Sequence, residues 1–280
     1  MKTDRRRCLA ALALLPVTLS WPARADDLDG LRGRGRLRIA VYNDFAPYSA
    51  GGHGIDVDLG RALAARLGLT AEIVGFNADE DMNDDLRNMV WKGHYLGTQP
   101  ADVMLHVPVD EHLARANNQV RIFAPYHRES LAVARDPGRI PALAGSAAVA
   151  LEVFTREKIG VETTSLADSF LLGVLNGRLR ENIVHFRSVG AAAAALVAGN
   201  VAAVLAPRAE LEHALQGQSR LVIDGAKFAE LKIDHWPVGM AVKAEQRQLA
   251  EALATALAEL QGDGTVAAIF RRHGVSFQPI

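Results

Sequence analysis

The side chains with the most chemical capacity gather in two stretches. One contains His94, His106, Asp110, Glu111 and His112. Imidazole nitrogens and carboxylate oxygens are ligands that transition metals accept. Only His106, Asp110 and His112 are local, however, and the tight ligand spacing of a zinc site is missing. Polar lining of a cleft, or a surface position, suits them better, and no metal or other cofactor is expected. The second stretch is Asp79-Glu80-Asp81-Met82-Asn83-Asp84-Asp85. Its oxygens would suit a hard cation, but it lacks the glycine at position six and the distal glutamate of a calcium loop. Carboxylates ahead of a helix complement its dipole, so a structural role is expected here.

Other chemistries lack their residues. No Gly-x-Ser-x-Gly nucleophile elbow occurs. Gly30-Leu31-Arg32-Gly33-Arg34-Gly35 precedes a predicted strand, where a phosphate cradle would follow one. Gly51-Gly52-His53-Gly54 lies between a predicted strand and helix but lacks the Lys and Ser/Thr of a phosphate loop. These absences point away from an enzyme. Phe45 and Tyr48 are more promising, because they follow the first predicted strand at its carboxyl end, where open α/β sheets bind ligands. They could stack on a solute or pack within their loop. Trp91, Lys92 and Tyr95 could anchor a protein partner, although Trp91 could equally be core.

The elements that must position these residues begin after an export signal. Arg5-Arg6-Arg7 is a basic start, Cys8 to Trp21 an apolar run, and Ala23-Arg24-Ala25 a small-residue cleavage site before Asp26. That is the three-part layout of a secretory signal peptide, 1–25, and it predicts a periplasmic protein. The arginines admit either general or twin-arginine export. Cys8 is the only cysteine, so the mature chain has neither disulfide nor thiol nucleophile. Cleavage removes Lys2, Arg5, Arg6, Arg7 and Arg24 against the single acid Asp4. From 31 basic and 32 acidic residues, 26 and 31 remain, a net charge of −5. Phosphate recognition needs a basic patch, so nucleic acid is not an expected partner.

Short apolar runs alternate with amphipathic ones. Strands are predicted at 37–41, 70–76 and 101–107, with helices at 56–67 and 84–91 between them. The pattern restarts with strands at 130–134, 149–151, 183–186 and 201–205 and helices at 165–175 and 189–197. A last strand at 238–242 precedes helices at 249–260 and 265–273. The β-α-β order implies parallel sheets covered by helices, and the restart implies two similar lobes.

Several segments resemble one family, the bacterial extracellular solute-binding proteins of family 3, the polar amino-acid-binding type. Gly35-Arg36-Leu37-Arg38-Ile39-Ala40-Val41 looks like its first strand, and Asn43-Asp44-Phe45-Ala46-Pro47-Tyr48 like its proline-aromatic loop. Gly54-Ile55-Asp56-Val57-Asp58-Leu59 is similar to its Gly-Phe-Asp-Val-Asp-Leu signature. Ala101-Asp102-Val103, Phe123-Ala124-Pro125-Tyr126, Pro237 to Lys243 and Leu260-Gln261-Gly262-Asp263-Gly264 continue the likeness in order. The resemblance implies a two-lobed, type II periplasmic-binding-protein-like α/β fold. Each lobe would be a mostly parallel sheet flanked by helices, and two hinge strands would join them. Lobe 1 would be 26–130 plus 236–280, and lobe 2 131–235. It also implies a small polar solute held between the lobes, an ABC transporter permease as partner, and a monomer.

The implied ligand-binding residues are Asn43, Phe45, Tyr48, Asp56, His106, Asp110, Arg115, Thr155 and Arg208. Amino-acid binders of the family clamp the ligand carboxylate with the arginine of a Thr-Pro-Glu-Arg motif. Here Asp110 takes that place when Pro108 is matched, and Arg115 falls one residue from it when Pro125-Tyr126 is matched. The family's second-lobe aspartate, which holds the ammonium, gives way to Pro207 after Ala202-Ala203-Val204-Leu205-Ala206. The expected solute is therefore not a free α-amino acid. The segment Met82 to Gly97 resembles a branch associated with periplasmic quinoprotein alcohol and methanol dehydrogenases. It implies an alternative role, as an accessory protein that docks on such a dehydrogenase and no longer binds a solute.

Overall fold

A computed structural model describes residues 27–280, so the expected signal segment lies outside the described residues. Helix α1 (Asp27–Arg34) leads into β1 (Arg36–Tyr42). Leu37, Ile39 and Val41 of β1 face one core, and Ala40 faces another on the opposite side of the sheet. That is the period-two alternation of a strand covered on both faces. A small hairpin of β2 (Asp44–Phe45) and β3 (Ser49–Ala50) then precedes α2 (Ile55–Arg66) and β4 (Thr70–Phe76). Helix α3 (Met82–Leu86) continues into a π-helical turn, Arg87–Trp91, and β5 (Val103–Pro108) and α4 (Glu111–Ala116) follow.

Strand β6 (Val120–Arg135) is sixteen residues long, roughly 50 Å at strand rise. It enters a second set of elements: α5 (Ala147–Ala150), β7 (Ile159–Glu162), α6 (Leu166–Gly173), β8 (Ile183–Phe186), α7 (Val189–Val197), β9 (Ala203–Pro207), α8 (Arg208–Ala214) and β10 (Val222–Gly225). The chain returns along β11 (His235–Lys243) and closes with α9 (Arg247–Gly262) and α10 (Thr265–Arg272). The strand predicted at 149–151 is instead the end of α5 and the residue after it. A run of Ala and Val that short has no period to separate strand from helix.

The strand order is β4-β1-β5-β11-β6-β9-β7-β8, with β10 also on β6. β1 lies parallel to β4 and β5, and β7 lies parallel to β8 and β9. The antiparallel pair β6/β11 runs between these two groups. β6 pairs with β11 from Val120 to Ser130, then changes partners at Leu131 and pairs with β9 and β10. The result is a two-lobed α/β fold crossed by two strands.

Separate cores fill the lobes. Leu59, Leu63, Leu253, Leu257 and Phe270 pack with one face of β1 and β5. Leu131, Val133, Val161 and Leu205 pack with α5 and α6 in the other lobe, while Ala132, Val204 and Ala206 meet the alanine-rich α7 on the opposite face. Among the described residues no helix is long and apolar enough to cross a membrane.

Candidate functional site

One local irregularity positions the site. The register of β11 shifts between Val238 and Met240 against β6 and between Gly239 and Ala241 against β5. Gly239 sits in that shift, because a Cβ there would lie 2.5 Å from the Phe123 carbonyl oxygen and 2.7 Å from Val109. On the flanking strands His106 and Ala124 both take positive φ, +61° and +50°. Non-glycine residues rarely do so, and such outliers collect at functional positions. The bulge withdraws the His106 N–H from the ladder, and the Tyr126 hydroxyl accepts it at 3.0 Å.

Tyr126 passes the interaction on. Its O–H donates to Asp56 Oδ1 at 2.7 Å, and Asp56 Oδ2 lies 3.3 Å from His106 Nδ1. Nδ1 is buried and is off the line of a hydrogen bond, so it keeps an unsatisfied polar atom beneath the site. Asp56 is held in the first turn of α2, whose Ile55 and Asp56 amides donate to the Pro47 and Tyr48 carbonyls. Burial, and then the Asp56 charge, push the Tyr126 phenol well above its usual range. Tyr126→Phe should cost about 1–3 kcal/mol, because it strips a donor from Asp56 and an acceptor from the His106 amide. Urea unfolding would check this, and a midpoint equal to that of the parent would show that the bridge adds no stability.

Above this layer lies an aromatic group. Tyr48 is 3.9 Å and Phe45 4.8 Å from the His106 ring, and Tyr42 meets Phe45 edge-on at 5.8 Å. The Tyr48 hydroxyl donates to Glu129 of β6. The other Glu129 oxygen accepts the Ser130 N–H at 2.7 Å. Burial raises the Glu129 carboxyl, although the Tyr48 and Ser130 donors pull against that rise.

These groups border a cleft of about 460 Å³, inside the roughly 300–1,000 Å³ range of small-molecule sites. Tyr42, Asn43, Asp44, Phe45, Asn77, Ala78, Met82, His106 and Pro108 line it from one lobe, and Pro207 and Glu210 from the other. Glu129 and Trp236, on the two crossing strands, complete it. Glu210 is in the first turn of α8, just beyond the carboxyl end of β9. Its carboxyl is pushed well up, first by burial and then by the Glu162 and Glu129 charges. Among the described residues it has no hydrogen-bond or ion-pair partner.

The sequence-predicted residues divide into two groups. Asn43, Phe45 and His106 line the cleft, and Tyr48 and Asp56 support it from below. Four others stand apart from the lining. Asp110 caps α4 by accepting the Leu113 N–H at 2.8 Å. Arg115 is 72% exposed and pairs with Glu111 one turn away. The Thr155 hydroxyl donates to the Glu152 carbonyl. Arg208 pairs with Glu212 and borders a different hollow, with Arg128 and Lys227.

The histidine-carboxylate group is also dispersed. His94 stacks on Tyr95 while Asp110 and Glu111 serve α4, and among the described residues no three His, Cys, Asp or Glu are placed to hold a metal. The acidic stretch is structural: Asp81 caps α3, and Asp85 accepts from Tyr42 and the Asp79 amide. Glu129, Glu210 and Trp236 were not foreseen. The only signal for Glu210 was an acid just past a strand's carboxyl end, where ligands of open sheets sit.

No protein-family model matches the chain, and no curated protein does. Solved structures do. An ancestral cationic amino-acid solute-binding protein superposes with a TM-score of 0.69 at 19% identity, over 88% of this chain and 99% of its own. An amino-acid ABC transporter substrate-binding protein of Streptococcus pneumoniae, bound to L-arginine, gives 0.61 at 16% identity over 90% and 99%. The solute receptor for L-cysteine of Neisseria gonorrhoeae gives 0.58 at 18% identity over 88% and 92%. At such identities the likeness carries the fold, and the chain shares the two-lobed architecture of the amino-acid ABC transporter substrate-binding proteins.

Proposed function

We propose that the protein is a periplasmic solute receptor that captures a small polar solute between its lobes and delivers it to an ABC importer. One observation carries this reading. The cleft is walled by side chains of both lobes and floored by Glu129 and Trp236 on the two crossing strands. A solute touching all four surfaces gains contacts on closure that an open form lacks, and that difference is what drives a hinge. In this reading lobe 1 is 26–130 plus 236–280 and lobe 2 is 131–235, with the hinge on β6 and β11 near the point where β6 changes partners. Binding and release suffice for this role, without a catalytic step.

The solute is not a free α-amino acid. Bidentate capture of its carboxylate calls for a guanidinium, and among the described residues no arginine or lysine lines the cleft. Arg115, the family-like candidate, is on the outer surface.

A thermal-shift screen of the mature chain against amino acids, polyamines, organic acids, sugars and metal ions tests the reading. A ligand at about 1,000 times its Kd stabilises by about 4 kcal/mol, a rise of roughly 8–16 °C for a chain this size. A rise of that order with any solute supports the receptor. Silence across the panel transfers support to the second reading, the accessory partner of a periplasmic quinoprotein dehydrogenase. Tyr95 and Leu96, 87% and 75% exposed beside the π-helical turn, favour that alternative.

A further inference from the structure

Every formal charge on the cleft wall has the same sign. Asp44, Glu129 and Glu210 line it, and among the described residues no lysine or arginine does. The remaining wall is largely apolar and aromatic, with Tyr42, Phe45, Met82 and Trp236 prominent. The two buried-side acids are not equivalent. Glu129 already receives the Tyr48 hydroxyl and the Ser130 amide. Glu210 faces the same space from the opposite lobe with no partner among the described residues. His106, 7% exposed, lines the same cleft, while its Nδ1 turns away from it, 3.3 Å from Asp56 Oδ2.

Buried polar groups are normally paired, and a charge out of water needs a counter-charge. Glu210 is half-buried and its carboxyl opens onto the cleft, and among the described residues nothing pairs with it, so a cationic occupant would be its counter-charge. The aromatic wall selects in the same direction, since ring faces attract cations and apolar bodies alike.

We propose that the solute is a small organic cation, an ammonium or amidinium on an apolar or aromatic body, without a carboxylate of its own, and that Glu210 is its charge partner. This deepens the receptor reading and rests on it. The cation lies between Glu210 and the Glu129 side of the cleft, and its body packs on Phe45 and Trp236. A ligand carboxylate would meet no lysine or arginine among the described residues that line the cleft, so it would lie there without a counter-charge.

The sign of the pH dependence separates this from a neutral ligand. The groups facing Glu210 are Glu162 at the end of β7 and Glu129 on β6, with Asp44 and His106 across the cleft. Burial and the two neighbouring glutamates hold Glu210 above the ordinary carboxylate range. A cation must ionise it, so binding releases a proton and tightens as pH rises. A neutral acceptor bound by the protonated acid would weaken instead.

Isothermal titration of the full mature chain would use matched probes: phenethylamine, choline and agmatine against 2-phenylethanol, 3-phenylpropionate, phenylalanine and arginine. We expect at least one amine to bind at least about tenfold more tightly than its neutral, anionic and zwitterionic counterparts. Its affinity should rise between pH 5.5 and pH 8 and fall at least about tenfold in Glu210→Gln, which keeps the shape of the side chain. The pH series on the parent protein gives the answer even if that variant does not fold. Tight binding of the alcohol, the carboxylate or an amino acid, unaffected by Glu210→Gln, overturns the cation proposal and leaves the receptor standing. No heat with any probe, together with a silent broad screen, overturns both.

Discussion

Gly54→Ala is expected to lower the melting temperature by roughly 6–20 °C and to weaken any cleft ligand with it. Gly54 has φ +132° and ψ 179°, a conformation open almost only to glycine. A Cβ at this position would stand 2.3 Å from the Tyr48 carbonyl oxygen and 2.8 Å from that of Pro47. Both are backbone atoms and cannot swing aside. They are also the carbonyls that accept the Ile55 and Asp56 amides at 3.0 and 2.8 Å, in place of the side-chain cap that α2 lacks. Alanine would thus add conformational strain and break two helix-end hydrogen bonds, together about 3–5 kcal/mol. For a chain of this length each kcal/mol moves the midpoint by roughly 2–4 °C.

The damage should spread to the site, because Tyr48 and Asp56 hang on that junction and hold Glu129 and Tyr126. Differential scanning calorimetry gives the first quantity and titration of whichever ligand the screens yield gives the second. An unchanged midpoint would mean that the loop can reshape around the added carbon.

His127 should impose a steep loss of stability on acidification. Its ring is 1% exposed, 4.4 Å from that of Phe270, and its Nδ1 accepts the Gln278 N–H at 3.3 Å. Burial first, and the nearby His106 second, lower its pKa from 6.5 to about 3. In the window between those values the unfolded chain carries the proton and the folded chain does not. Stability therefore rises with pH across the window and is lost as pH falls from about 6.5 toward 3. Each pH unit is worth about 1.4 kcal/mol, so moving from pH 6.5 to pH 4 should cost about 3 kcal/mol from this residue, roughly 6–12 °C.

The raised carboxyls of Glu129, Glu162 and Glu210 act with the opposite sign. Above the ordinary carboxylate pKa the folded state holds their protons more firmly, so their contribution falls as pH rises through the raised values. The comparison that isolates His127 is His127→Phe against the parent across pH 4 to 7. The variant keeps the aromatic contacts and loses the titration, together with the acceptor of the Gln278 N–H, a loss that is the same at every pH. Parallel melting curves would show that His127 does not drive the acid loss.

Local order accounts for what was legible before the fold was known. The strand at 37–41 lies within β1, and the helix at 249–260 lies within α9, because the side chains facing one core recur every two and about every 3.6 residues. The full length of β6 was not legible. Pro125 interrupts it, and a proline inside a run argues against a continuous strand. The short α5 carried no period at all.

By itself, the sequence determined the alternation of strands and helices, the restart that makes two lobes, and the placing of Phe45, Asn43 and His106 near strand ends. Those properties belong to neighbours along the chain. Tertiary structure alone decided which charges meet. Tyr48 reaches Glu129 across 81 positions and Asp56 reaches Tyr126 across 70. It sent Arg115 and Arg208 to other surfaces and brought Glu210 to the cleft without a partner among the described residues. The energy of an ionisable group depends on its desolvation and on the charges within a few ångströms. Residue spacing encodes neither, so a cleft whose three lining acids meet no arginine or lysine among the described residues emerges only once distant segments pack.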